Sequence, residues 1–210
     1  MNKIKKISNS GGQFLLEPIS LAKVYSREDF TEEHTDIYNM VMEFDSDKIL
    51  VQKEDIEKYN PVLVKSLIKE MGELGLLGID IPETYGGINL DKITTIIVAE
   101  SLVQCPSFAV TWAVQTGIGS LPIVWFGTEE QKQKYLPKLA TGEFIGCFGL
   151  TEPDFGSNPG GMVTNIKDAG DHYILNGAKM WISNAPFADC AVVWAKNEEG
   201  RIKGLIVEKG

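Results

Sequence analysis

Phe144-Ile145-Gly146-Cys147-Phe148-Gly149-Leu150-Thr151-Glu152-Pro153-Asp154-Phe155-Gly156-Ser157-Asn158 is the stretch on which the fold turns. Within it an apolar run gives way to a turn-prone loop rich in hydroxyls and backbone donors. Further on, Met180-Trp181-Ile182-Ser183-Asn184 sets an indole beside a hydroxyl on what reads as a strand. Together they offer what a flat, polar-edged ring requires, amides for its edge and an aromatic wall for its face. Pro153, Gly156, Pro159, Gly160 and Gly161 let the backbone approach a ligand closely and turn amides toward it. A plain connection between strands carries the same residue types, and a lone Trp181 also fits a core position on a half-buried strand, so each segment taken singly leaves both readings open.

Upstream of this stretch the pattern is helical. Thr31 precedes Glu32 and Glu33, an N-cap followed by first-turn carboxylates, and Ile37, Met40, Val41 and Phe44 recur at helical spacing. Asn60-Pro61 starts a second helix whose stripe is Leu63, Val64, Leu67, Ile68, Met71 and Leu74, with Gly75 as its C-terminal stop. After the punctuation Pro82-Glu83-Thr84-Tyr85-Gly86-Gly87, Asp91 caps a helix carrying Ile93, Ile96, Ile97, Glu100 and Val103. One apolar helix is expected from about Ser107 toward Val124, bent near Gly117, Gly119 and Pro122. Thr128-Glu129-Glu130-Gln131 matches a capping box for a short helix ending near Leu139.

Downstream the period shortens. His172-Tyr173-Ile174-Leu175, the turn Asn176-Gly177, and Lys179 to Ile182 read as a hairpin. Cys190 to Trp194 and Leu205 to Val207 are two more strands, joined by the polar turn Asn197-Glu198-Glu199-Gly200. The expectation is an α+β chain in three parts. An irregular arm spans 1–29, with Gly11-Gly12 as a hinge and Phe14-Leu15-Leu16 as an anchor, a helical domain spans 30–144, and an incomplete antiparallel β domain spans 145–210. The sequence stops at Lys209-Gly210, just after a strand. A last strand with an unpaired edge is an aggregation hazard, so a longer parent protein is expected.

Composition narrows the function. The 210 residues are 43% apolar and 23% charged, ordinary globular usage, and the formal net charge of -9 argues against nonspecific nucleic-acid binding. Cys105, Cys147 and Cys190 are widely spaced and odd in number, which fits neither a disulfide framework nor a zinc site and points to a reducing compartment. The sequence shows no signal-peptide pattern after its basic start and no expected membrane span, so the reading is a cytoplasmic protein. His34 and His172 read as lone surface histidines without ligand or triad patterns around them, which disfavours metal and triad chemistry.

Leu150-Thr151-Glu152-Pro153-x-x-Gly156-Ser157, followed by Asn176-Gly177-x-Lys179-x-Trp181-Ile182-Ser183-Asn184, resembles the flavin-site signature of the acyl-CoA dehydrogenases. Tyr85-Gly86-Gly87 and Phe126-Gly127-Thr128-Glu129-Glu130-Gln131 through Leu136-Pro137 resemble other segments of that family, and the likeness covers about residues 30 to 210. In the family, a helical domain packs on a β-barrel middle domain and a carboxy-terminal helical bundle, with FAD and an acyl-CoA thioester between them. The resemblance implies that Phe148 to Ser157, including Leu150, Thr151 and Gly156, line the flavin. It puts Ser157 near the FAD phosphates and the pantetheine arm, Trp181 with Ile182 against the ring, and the Ser183 hydroxyl near the hydride-accepting edge. It implies no catalytic residue within this chain, because the family's proton-abstracting glutamate lies in the bundle, which is expected beyond Gly210; Glu152 and Glu100 read as structural. It also implies a homotetramer or homodimer passing electrons to electron-transferring flavoprotein.

Two positions depart from the family pattern: Asn158 stands where Asp is usual, and Phe155 where many members have a small residue. Gly146 to Thr151 and Ala188 to Ala195 are similar to glutaryl-CoA dehydrogenases, whereas the helical part is more similar to the long-chain enzymes. That subfamily's Arg-Ser pair for a distal carboxylate is replaced by Ala109-Val110, and a second carboxylate buried there would go unpaired, which favours an aliphatic acyl chain. A noncatalytic acyl-CoA-binding or partner-binding module, and a flavin-dependent oxidase or monooxygenase on the same fold, are the alternatives.

Overall fold

The computed structural model describes residues 26–210, so the hinge and anchor expected at Gly11-Gly12 and Phe14 to Leu16 lie outside the described residues. Among the described residues, seven α-helices precede a five-stranded sheet: α1 Glu32–Phe44, α2 Lys53–Glu57, α3 Pro61–Glu73, α4 Lys92–Ser101, α5 Pro106–Thr116, α6 Leu121–Phe126 and α7 Glu129–Ala140. Each expected cap is in place. Thr31 Oγ1 accepts from the His34 amide at 3.2 Å, Asn60 Oδ1 from Leu63 at 3.1 Å, and Asp91 Oδ1 from Thr94 at 2.9 Å. Thr128 and Gln131 close a reciprocal box at 3.2 and 2.9 Å. These bonds satisfy amide donors that the first turn of a helix leaves unpaired. At the far end of α3, Gly75 adopts the left-handed conformation (φ 79°) that ends the helix.

The apolar stripes meet in one core of Val41, Phe44, Leu67, Ile68, Met71, Val98, Phe108 and Trp112, all buried. The helix expected from 107 to 124 is two helices, α5 and α6, broken at residues 117–120, where Gly119 passes close to the Gly146 backbone. By length and composition Pro106–Phe126 could cross a membrane, contrary to expectation. It nevertheless carries Phe108, Trp112 and Gln115, all fully buried against the rest of the chain, as a core helix does. Between α1 and α2 the chain passes through a π turn, Asp45–Ile49, and a 3-10 turn, Leu50–Gln52.

The sheet comprises β1 Gly146–Gly149, β2 Asn165–Asp168, β3 Tyr173–Asn176, β4 Cys190–Lys196 and β5 Ile202–Glu208. β4 pairs antiparallel with β5 from Cys190 opposite Glu208 to Lys196 opposite Ile202, across the expected turn. On its other edge β4 runs parallel to β1, with Gly146 opposite Cys190, and touches β2 in parallel at Asn165 and Lys196. The sheet is therefore mixed and not closed, which corrects the purely antiparallel expectation. Parallel neighbours need a long crossover, and residues 150–189 supply it between β1 and β4.

The hairpin expected at Asn176-Gly177 is also corrected. β3 pairs backward with β2, Asn165 opposite Asn176 and Asp168 opposite Tyr173, and residues 177–184 form no strand. Gly177 has φ 150°, and a Cβ there would lie 2.4 Å from Thr164 Oγ1, so the chain leaves β3 by a path closed to a side chain.

Candidate functional site

The loop after β1 is organised around one buried carboxylate. Glu152 Oε2 accepts from the Val163 amide at 2.7 Å, and Oε1 accepts from the Thr164 amide at 3.0 Å and from Lys179 Nζ at 2.8 Å. Lys179 Nζ also donates to the Leu150 carbonyl at 3.0 Å, and the Met180 amide donates to the Thr151 carbonyl at 2.9 Å. Burial pushes the Glu152 pKa up, and the bonds from Lys179 and the two amides outweigh it, holding the group down at about 2. Glu152 is thus the structural residue that the sequence implies, joining both ends of the loop to the segment bearing Trp181. Glu100 is an exposed helical residue paired with Arg27.

Trp181 does not lie on a strand. It sits in irregular backbone with φ 60° and is 85% exposed, whereas a core aromatic would be covered. A bulky residue in the left-handed region carries strain and persists only where its flanks are held. Lys179 and Met180 are held as described. On the other flank Asn184, also left-handed (φ 67°) and buried, donates from Nδ2 to the Thr111 carbonyl at 3.1 Å and the Gly146 carbonyl at 3.3 Å.

Leu150 and Thr151 are half-buried and lie against Lys179 and Met180, beside Trp181. Gly156 and Ser157 are exposed at the outer part of the loop, and no heavy atom lies within 4 Å of where a Gly156 Cβ would be. Ile182 is half-buried and Ser183 exposed, and both line a cavity of about 490 Å³ whose other walls include Tyr59, Val110, Thr111 and Phe187. Phe148 is half-buried and turns its side chain toward Trp194, ring centroids 5.9 Å apart and edge to face. Phe155 covers Gly161, where a Cβ would meet the ring at 2.3 Å. Gly210, beyond which the resemblance puts the proton-abstracting glutamate, is exposed and stands two residues past the end of β5. It has open space where a side chain would be and is not itself a residue of the site.

Four residues that position the site carry no assigned role in the sequence reading: Lys179 and Asn184 as described, Gln115 and Asp189. Gln115 is fully buried in α5, donates to the Leu139 and Phe144 carbonyls at 2.9 and 3.0 Å, and accepts from the Gly146 amide at 2.7 Å. Asp189 accepts from the Ile145 amide at 2.9 Å and from Lys65 Nζ at 3.0 Å. A lone amide inside the apolar α5 was the available signal for Gln115.

His34 is corrected from a surface residue to a buried one. Its Nδ1 accepts from the Thr31 amide and its Nε2 lies 3.2 Å from Asp91, so it joins two helix starts. His172 is exposed beside Asp171. Burial pushes the Cys190 thiol up to about 12 and raises Cys147 as well, so neither offers a thiolate.

Comparison with known proteins fits this geometry. The family model for the acyl-CoA dehydrogenase N-terminal domain matches residues 31–143, and that for the acyl-CoA dehydrogenase middle domain matches 147–210. A probable acyl-CoA dehydrogenase of Bacillus subtilis (strain 168) is 45% identical over 201 residues, covering 95% of this chain and 34% of the relative. The crystal structure of acyl-CoA dehydrogenase complexed with FAD from Bacillus anthracis superposes with a TM-score of 0.92 at 45% identity, covering 96% of this chain and 35% of that one. A structure described as electron transferring flavoprotein of Acidaminococcus fermentans superposes with a TM-score of 0.81 at 36% identity, covering 88% of this chain and 50% of that one. The chain thus spans between a third and a half of these proteins' lengths.

Proposed function

The chain belongs to the acyl-CoA dehydrogenase family, and from that premise we propose that it builds the flavin-facing side of an FAD-dependent enzyme that introduces an α,β double bond into an aliphatic acyl-CoA. The observation that carries the reading is Trp181, strained, exposed and pinned beside the loop that bears Thr151, Gly156 and Ser157. The residues fit the cofactor: Gly156 leaves open space, Thr151 and Ser183 bring hydroxyls, and Trp181 offers a ring face. When bound, FAD supplies the hydride-accepting chemistry, and the protein tunes it through contacts at the ring's edge and face.

In this assignment Leu150, Thr151 and the backbone from Phe148 onward hold the ring's polar edge, while Trp181 and Ile182 cover a face. Ser183 would bring its hydroxyl near the reacting edge, Gly156 would line the flavin with the rest of the loop, and Ser157 would lie near the phosphates and the pantetheine arm. Glu152 is committed to Lys179 and two amides and stays ionised near neutral pH, so it moves no proton. The abstracting carboxylate is assigned to the part of the parent protein beyond Gly210, outside the span shared with this chain.

The cavity beside Ser183 supports an aliphatic substrate. Val110, Ile56, Val64 and Phe187 line it, and no charged side chain among the described residues does, so a distal carboxylate entering it would lose water and gain no cation. The reading includes a cytoplasmic homo-oligomer, dimer or tetramer, in a fatty-acid-degrading role, with electron-transferring flavoprotein as acceptor. The last point rests on the family assignment.

The test is anaerobic mixing of the FAD-loaded full-length protein with saturated aliphatic acyl-CoA or with glutaryl-CoA. Bleaching of the flavin by the aliphatic thioester, and reoxidation by electron-transferring flavoprotein, is expected. A protein that takes up no FAD, or is bleached only by glutaryl-CoA, overturns the proposal.

A further inference from the structure

We infer that Lys179 is a positioning residue for the flavin wall: paired with Glu152, and opposed across Trp181 by Asn184, it clamps the backbone that presents the indole to a bound ring. The inference deepens the flavin reading and rests on it, but the geometry stands on the chain's own residues. The clamp has two jaws. On one side, Lys179 Nζ bridges Glu152 Oε1 at 2.8 Å and the Leu150 carbonyl at 3.0 Å, and the adjacent Met180 amide is bonded to the Thr151 carbonyl at 2.9 Å. On the other, the buried Asn184 amide grips carbonyls of both the helical layer and β1, Thr111 at 3.1 Å and Gly146 at 3.3 Å. Between the jaws stand only Trp181, Ile182 and Ser183.

The polar groups of both jaws are covered, Glu152 and Asn184 buried and Lys179 half-buried, whereas the residue they hold is exposed. The Lys179 and Glu152 side chains are 11% and 1% accessible, against 85% for Trp181. A surface ion pair is a weak constraint, but this pair is shielded from solvent and fixed further by backbone bonds at both ends. The strained backbone at Trp181 gains nothing from packing of its own ring, so the strain is retained by its neighbours. The same lysine fixes the Leu150 carbonyl that leads into the Thr151 loop, so edge and wall are set in register by one side chain.

The test labels the full chain with 5-fluorotryptophan and follows its ¹⁹F resonances without cofactor, assigning the Trp181 signal by its loss in Trp181→Phe. Lys179→Met is expected to narrow the Trp181 resonance, as the released segment gains mobility, and to leave that of the core residue Trp112 unchanged, and Lys179→Arg is expected to restore the native line. In the FAD-loaded protein, Lys179→Met is expected to bind FAD about fivefold more weakly, no more than loss of the ring itself. In a Trp181→Ala background the same change is expected to weaken FAD binding clearly less than in the native chain, because the clamp acts chiefly through the ring. If Lys179→Met does not fold, Glu152→Gln, which keeps the shape and removes the charge, decides the matter by the same readouts. A Trp181 resonance not narrowed by loss of the pair, or equal losses of FAD affinity with and without Trp181, overturns the clamp. A native chain that takes up no FAD, with the narrowing still seen in Lys179→Met, overturns the flavin reading and leaves the clamp standing.

Discussion

The helical layer and the loop-bearing segment from Leu150 to Asn184 are held together by different means. The first is tied by apolar stripes that many residues share, Leu67, Ile68, Met71, Phe108 and Trp112 among them. The second is tied by a few buried polar groups, chiefly Glu152, Lys179 and Asn184, each with partners distant in sequence. Apolar burial is non-directional and tolerates small errors, whereas hydrogen bonds demand one geometry. The directional method appears in the segment proposed to face the flavin.

The largest effects should separate the two regions. Trp112→Ala removes a fully buried ring and the 3.0 Å bond from its Nε1 to the Leu76 carbonyl, and should cost about 4 kcal/mol in urea denaturation. The whole molecule loses stability in this case. Lys179→Met leaves the Glu152 carboxylate buried without its cation and should cost about 3 kcal/mol by the same measurement, with the perturbation concentrated at Trp181. A Lys179→Met variant that disturbs Trp112 as much as Trp181 would erase the distinction.

Acid sharpens the comparison further. Glu152 titrates at about 2 in the folded chain against 4.5 for the ordinary group. A depressed carboxylate stabilises the fold above its unfolded value, and that contribution is lost as pH falls from about 4.5 through about 2, on the order of 3 kcal/mol in all. Denaturation midpoints measured across that range should fall steeply in the native chain and be flatter in Glu152→Gln. Asp45 behaves in the opposite sense. It is fully buried in the π turn with neither carboxylate oxygen hydrogen-bonded, and burial raises its pKa above the usual value. Its ionisation therefore costs the fold stability as pH rises through the folded value, and Asp45→Asn should raise neutral-pH stability by about 1 kcal/mol. The smallest effect is at a helix start: Thr128→Ala breaks the capping box of α7 and should cost about 1 kcal/mol or less, leaving the site unchanged.

The same division decides how far the sequence could be read. Caps at Thr31, Asn60, Asp91 and Thr128 and the turn Asn197 to Gly200 were legible because donor and acceptor lie within a few residues of each other. The Asn176-Gly177 dipeptide suggested a local hairpin, but the donors of Lys179 and Met180 were already taken by Leu150, Thr151 and Glu152, nearly thirty residues earlier. For the same reason the sequence suggests a strand at Trp181 and a surface position for His34, whose partner Asp91 stands 57 residues away. The loop reads as a candidate binding element from its residue types, but what fixes it is visible only in three dimensions.

The central claim, that Trp181 and the Thr151 loop form a preset wall and edge for a flavin, is tested most directly by equilibrium titration of the flavin-free full-length protein and its Trp181→Ala variant with FAD. The account expects saturable binding to the native protein with quenched flavin fluorescence. It expects binding about fivefold weaker in the variant, the loss of about 1 kcal/mol of ring-on-ring contact, with thermal stability unchanged. Identical affinities, or no binding by the native protein, would contradict it.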